Sequence, residues 1–500
     1  MKKILYITLA MLASHVSLKA QDVPDIWISR QSDIMANAIS CLEYDIYIKQ
    51  KDFPNTLYAP TDKSMLRFVD PGSYSEGKAQ MWEVRKDENQ TSTRCLYADV
   101  YDCVIKEDGT VEKVSEEPVT TITGGIGNSQ IENRMKYLIK NSLVFGERVS
   151  GKKYYKSYGN NFVRVEDGGS AIYGPWQAGL GKPVEVIEST ATSAGEVVEI
   201  SQPLMPSFKN VATTLAEHSE FSEFLSILQA CALSTSNSKD HWQSADQVYG
   251  NLFNLKEKGA VGAEDVTSNT GKATYLLDDY HYTLYAPTNA AMQEAHALGL
   301  PTLKDLDDAW EEDERNGIEY YNSPESKYAK VLEVMLNFVK YHIQDEAVFV
   351  DGGDNSGWYD SGKLSFIPSI DIDEETGDTS WNGKYRPGRP YKLKVDVTPS
   401  SMTITDCRNG YDSNGNPSGG VTANVVTTPG LYNLMANEIW IDSYNIVGTP
   451  YSCNIAIAPF VVIHAIDSPL IYADGKHTDS LGRTIPTQFE YQYYPMSTDY

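Results

Sequence analysis

The stretch TLYAPTDKSM, Thr56 to Met65, returns almost letter for letter as TLYAPTNAAM, Thr283 to Met292, 227 positions later. The six residues TLYAPT are identical, and a methionine closes each copy at the tenth place. Within TLYA the residue types favour a strand. The proline at 60 or 287 ends that strand, because it has no amide to donate and holds its predecessor extended. Thr61 and Thr288 then stand where a hydroxyl caps a new helix, with Asp62 or Asn289 in its first turn. Each copy therefore encodes strand, sharp turn and capped helix.

The surroundings of the two copies also correspond. Ahead of the first, Met35, Ala38, Ile39, Leu42 and Ile46 keep the spacing of an amphipathic helix, and ahead of the second Phe221, Phe224, Leu225, Leu228 and Ala232 do the same. Behind the second, Thr302 and Asp305 are expected to form a capping box for a helix through DLDDAWEEDE, and VLEVMLNFVKYHI (Val331 to Ile343) is apolar on more than one face, as an interior helix is. Each half closes on strands: GEVVEISQPLMP (Gly195 to Pro206) alternates, and APFVVIHAIDSPLIY (Ala458 to Tyr472) opens as a continuous apolar run that Pro469 breaks. The expected fold class is α+β, in two tandem units of a β-sheet core wrapped by helices.

A chain of 500 residues exceeds what one core organises, which agrees with that count. The first twenty residues, MKKILYITLAMLASHVSLKA, have the basic start, short apolar run and small final residue of a secretory signal peptide. Export is expected, to the cell surface, the medium or the periplasm, and the style is bacterial. No cysteine follows the run closely enough to take a lipid, and no later stretch has the apolar length of a membrane helix. The formal net charge is −26, and −29 once Lys2, Lys3 and Lys19 leave with the signal. So acidic a surface repels phosphate backbones, so nucleic acid is not an expected partner. Of six scattered cysteines, Cys41 and Cys231 fall in apolar helical patterns as small hydrophobes; Cys95 and Cys103 are the only close pair, and spacing alone leaves their bridging open.

In the second half three elements resemble the fasciclin domain family: TLYAPTNAAM, then FVKYHI with Tyr341 and His342, then VVIHAIDSPLIY with Ile466, Asp467 and Leu470. The first half departs further. Its helix MKYLIKNSLVFGERVSG sets Lys140 and Asn141 where the Tyr-His pair falls, and Ser201 replaces the aspartate of the closing strand. The resemblance implies a tandem pair of extracellular modules that adhere to proteins or surface glycans, with no cofactor and no catalytic centre. It implies domains at 25–206, divergent, and 207–475, with insertions near 232–280 and 345–430 and a tail at 476–500.

It also makes Tyr341 and His342 candidates for recognition, although a histidine on so apolar a helix is more often a core residue, and His464 carries the same discount. The insertions are loops by composition. Trp358, Tyr359, Trp381, Tyr385 and Tyr391 sit there among glycines and polar residues. Flat aromatic faces stack on sugar rings, which makes these five candidates for a sugar or partner platform; the alternative is that they fold back over the sheet. The acidic groups Asp371, Asp373, Glu375 and Asp378, and Asp412, Asn414 and Asn416, complete no calcium loop, so no metal is assigned. The sequence lacks Gly-x-Ser-x-Gly, His-Glu-x-x-His, a phosphate-cradling glycine loop and Cys-x-x-Cys. The leading expectation is non-catalytic adhesion or recognition of a protein or polysaccharide. Beside it stand an accessory glycan-binding subunit of a surface uptake system and a glycan-active hydrolase, which requires two facing carboxylates in a concave pocket.

Overall fold

A computed structural model describes residues 55–73, 79–86, 96–123, 130–146, 148–192, 195–231, 281–318, 325–353, 355–372, 375–376, 379–411, 416–446, 449–478 and 484–493. The signal segment, the helix expected around Met35–Ile46, Cys41, Cys95 and the insertion 232–280 lie outside them. The chain forms two compact units, one of residues up to Phe208 with Trp440–Ile457, the other of Lys209–Ile439 with Ala458–Tyr500.

In the first unit the strand Asn55–Pro60 runs parallel to Gly195–Ile200, with Leu57 opposite Val197 and Pro60 opposite Ile200, and antiparallel to Leu143–Phe145 on its other side. In the second unit His281–Pro287 runs parallel to Phe460–Ile466, with Leu284 opposite Ile463 and Pro287 opposite Ile466, and antiparallel to Ile343–Asp345. Proline cannot extend a ladder, so the next amide does: Thr61 N donates to Ile200 O at 3.1 Å and Thr288 N to Ile466 O at 3.1 Å. Helices then begin at Asp62 and Asn289, and Met65 and Met292 are fully buried beneath them. The repeated phrase is the same corner twice.

Alternation along the central strand sends its side chains into two cores. Leu57 and Ala59 face the core beneath the Gln130–Ser142 helix, while Tyr58 joins Tyr155, Ile172 and Val198 on the opposite side. Likewise Leu284 and Ala286 meet Phe224, Met335 and Phe338, whereas Tyr285 joins Tyr341, Tyr391 and Leu393. The Thr302–Asp305 capping box is present at the head of Leu303–Asn316, and the interior helix spans Lys327–Tyr341.

The units differ in what is attached to this frame. The first adds an antiparallel sheet around Gln80–Lys86 and Leu96–Ile105, and its Gln130–Ser142 helix is anchored by Arg134, whose Nε and Nη2 donate to the two oxygens of buried Asp70 at 2.9 and 3.3 Å. It also takes in the hairpin Trp440–Ile446 and Thr449–Ile457. There Asn133 imitates a strand: its Nδ2 donates to Ile455 O at 3.2 Å, and its Oδ1 accepts from Ile455 N at 2.8 Å. In the second unit, residues that composition reads as loop form Gly357–Ile372, Thr379–Val397, Met402–Thr405 and Thr422–Asn424, continuing the sheet in antiparallel order beyond Ile343–Asp345. Tyr391–Val397 reads YKLKVDV, a strict alternation that outweighs the surrounding glycines and prolines.

Equivalent threonines fasten each frame. Thr56 Oγ1 donates to Gly146 O at 3.1 Å and Thr283 Oγ1 to Glu346 O at 2.8 Å, both acceptors having positive φ. Thr283 Oγ1 alone also accepts, from Val348 N at 3.0 Å. Thr56→Val is expected to cost about 1 kcal/mol, one lost hydrogen bond, and Thr283→Val about 2–3 kcal/mol, because it also strands a buried N–H. Urea unfolding of the two variants measures the difference.

Candidate functional site

The seven aromatic and histidine candidates fall in three separate places. Tyr341 and His342 end the interior helix and are both fully buried. His342 Nδ1 donates to Phe338 O at 2.8 Å, and its Nε2 accepts from Leu470 N at 3.1 Å, so the ring is satisfied at both nitrogens and lies 4.2 Å from Phe338. Burial pushes its pKa down to about 4, with the bond to Phe338 opposing. Tyr341 Oη accepts from Cys407 N at 2.9 Å, and its ring packs on Tyr391 and Tyr472. Tyr391 is itself buried, stacked on Tyr472 at 4.9 Å. His464 makes an equivalent closed set, with Nε2 to Val348 O at 2.8 Å and Asn433 N to Nδ1 at 3.3 Å.

The strand registers fix which residues of the first unit match this pair. Leu57 opposes Leu143 as Leu284 opposes Ile343, so Tyr341 and His342 correspond to Asn141 and Ser142, one position on from the Lys140 and Asn141 that sequence alignment suggests. Ser142 Oγ donates to Leu138 O at 3.0 Å, the bond His342 makes to Phe338. Asn141 Oδ1 accepts from Asn161 Nδ2 at 2.8 Å. Different side chains thus close the same helix end. Cys103, Cys231 and Cys407 are buried thiols, and Cys407 Sγ donates to Lys392 O at 3.2 Å.

Trp381 and Tyr385 occupy the far end of the long hairpin, rings 5.7 Å apart, with Trp381 Nε1 donating to Lys384 O at 2.8 Å. Trp358 lies near its base. It pairs with Lys394, whereas Trp381 pairs with Ile370, twelve positions along the strand from Trp358 and on the order of 40 Å away if fully extended. Both tryptophans are exposed, at 44% and 43%, but they do not form one strip.

Trp358 instead shares a sheet face that sequence reading missed. The register places Trp358 beside Lys394 and Thr405, Asp360 beside Lys392, and Asp396 beside Thr403 and Asn424, all on one side. Tyr391, Leu393, Val395, Met402 and Ile404 take the other side and form core. The open face thus carries one flat ring among carboxylates, ammonium groups and hydroxyls, with ion pairs Lys392–Asp360 at 3.5 Å and Lys394–Asp396 at 2.9 Å. Tyr359, adjacent to Trp358 but on the core side, donates its hydroxyl to Asn355 O at 2.7 Å. The period-two runs YKLKVDV and MTIT were the signal available for this face.

In the first unit a cavity of about 330 Å³ opens among Phe68, Met81, Trp176, Met205 and Phe208, with Arg67 and Gln202 as its charged and amide groups. Among the described residues its lining holds no carboxylate or histidine. Among the described residues no helix is long and apolar enough to cross a membrane.

No family model and no curated protein matches the chain. Among solved structures it is similar to a FAS1 domain pair from the insect cell adhesion molecule fasciclin I, at 11% identity and a TM-score of 0.21, over 88% of this chain and 95% of that one.

His464 is pushed down to about 4 by burial, as His342 is. Both stay neutral in the fold while an unfolded histidine titrates near 6.5. The unfolded chain therefore binds more protons between those values, and the stability these rings contribute is complete above about 6.5 and is lost as the pH falls toward 4, on the order of 3 kcal/mol for each ring. Ring-proton NMR at pH 5 is expected to show two of the histidines still uncharged.

Proposed function

We propose that this is a non-catalytic recognition protein of fasciclin type, working outside the cell, that binds polysaccharide on the open sheet face around Trp358. The observation that carries this reading is an exposed indole set among Asp360, Lys392, Lys394, Asp396 and Thr405 on one side of the paired strands. A sugar ring presents an apolar face for stacking and a rim of hydroxyls that both donate and accept, and this surface offers a partner for each. The duplicated corner supports the fasciclin reading, since two units share one strand order, one proline stop and one closing hydrogen bond. The signal-like first twenty residues support export. Service as the glycan-binding subunit of a surface uptake system is the finer version of the same role.

The test is a glycan array with the purified chain, followed by titration of any glycan retained. Trp358→Ala is expected to weaken binding at least about tenfold, ~1.4 kcal/mol, and Trp381→Ala to leave it unchanged because that ring stands far along the hairpin. Parental binding by Trp358→Ala sinks the reading. A blank array together with a specific partner recovered from the native envelope moves recognition to a protein.

A further inference from the structure

The buried side of the same hairpin holds a second feature, independent of the open face. Between the interior helix, the strand carrying Lys363 and the C-terminal segment lies a cavity of about 30 Å³, lined among others by Glu333, Asn337, Lys363, Tyr391, Tyr472 and Gln488. Two of its donors make no hydrogen bond to an acceptor among the described residues. Gln488 is 4% exposed; its Oε1 accepts from Tyr472 N at 2.7 Å, and its Nε2 has no partner. Lys363 is 7% exposed, and its Nζ lies over the rings of Phe366 at 5.1 Å and Tyr472 at 5.5 Å, with the charges of Lys340 and Glu333 also acting on it and no hydrogen bond to an acceptor among the described residues. Gln488 leaves a buried donor unmatched and Lys363 brings an ammonium to the same lining, so an acceptor in the void would answer both.

We propose that this cavity binds a carboxylate group, one oxygen accepting from Lys363 Nζ and the other from Gln488 Nε2. The size agrees, since about 30 Å³ holds roughly two water-sized atoms. It admits an acidic end group and excludes a whole sugar ring. The remainder of such a molecule has a way out where the lining passes to half-buried Tyr491 and exposed Glu490. The charges facing Lys363 leave room for an anion. Lys340 and Glu333 act on it with opposite sign, and the other carboxylate of the lining, Glu490, is exposed. Burial, followed by Lys340, pushes the Lys363 pKa down to about 7, with Glu333 opposing. The lysine is therefore charged below that value and attracts a carboxylate, and above it the attraction fades.

The full chain is titrated with acetate and with glucuronate at pH 6 and pH 9, at constant chloride, following ¹³C-labelled ligand by NMR. The expected result is saturable binding of a carboxylate at pH 6 that weakens at least about tenfold at pH 9. Acetate alone identifies a small free acid as the ligand type, and glucuronate as well identifies an acidic sugar; the methyl ester of glucuronate is expected not to bind. Lys363→Met removes the charge while filling the same volume, so it is expected to fold at least as stably as the parent and to lose binding. Gln488→Glu keeps the acceptor for Tyr472 N, replaces the free donor with an anion, and is expected to lose binding as well. Parental binding by both variants, equal binding of the methyl ester, or no saturable binding at pH 6 overturns the proposal. Because Trp358 is untouched, the glycan array reads the open face separately.

Discussion

The structure depends on one long-range pairing made twice, the parallel ladder that ends at a proline and is closed by the amide just beyond it. Thr61 N to Ile200 O and Thr288 N to Ile466 O bring together chain segments 139 and 178 residues apart. Closing loops of such different lengths differs by only about 0.2 kcal/mol, because the entropic cost grows with the logarithm of length. The frame can therefore carry very different insertions. The first unit uses that freedom for an extra sheet held by the Arg134–Asp70 pair, the second for a hairpin of 16 and 19 residues.

Because a strand shows alternate residues to opposite sides, that hairpin does two things at once. Its core-facing residues complete a cluster with Tyr285 and Tyr341, and its other residues form a polar face around Trp358. Asp467 ties the last inserted strand to the closing one: its two oxygens accept from Asn424 N at 2.7 Å and Asn424 Nδ2 at 2.8 Å. The first unit has Ser201 at the matching place, where Oγ accepts from Glu185 N at 3.2 Å, and it carries no such inserted sheet.

The Tyr-His pair illustrates how a conspicuous motif can be structural. Every polar atom of His342 is engaged, and the first unit closes the equivalent helix end with Ser142 bonding the same carbonyl position. Equivalence of Tyr58 and Tyr285 shows the limit of such substitution. Tyr285 Oη donates to Gln344 Oε1 at 2.7 Å, whereas the matching neighbour of Tyr58 is Val144, and the Tyr58 hydroxyl has no partner among the described residues. The frame tolerates this in the first unit because apolar packing of the ring, not its hydroxyl, supplies most of the stabilisation.

By itself the sequence determined the duplication, the proline stops, the Thr302–Asp305 cap, the interior helix and the α+β class, because each depends on residues within a few positions of one another. It also marked Trp358 and Trp381 as rings among polar residues. Only the tertiary structure decided that Tyr341, His342 and Tyr391 are core, that the two tryptophans stand apart, and that the Trp440–Ile457 hairpin joins the first unit. It alone set Lys363 and Gln488 around one void from strands and loops 125 residues apart. Burial, register and the meeting of distant side chains are properties of how segments pack, and no local pattern of residue types encodes which face of a strand will find a partner.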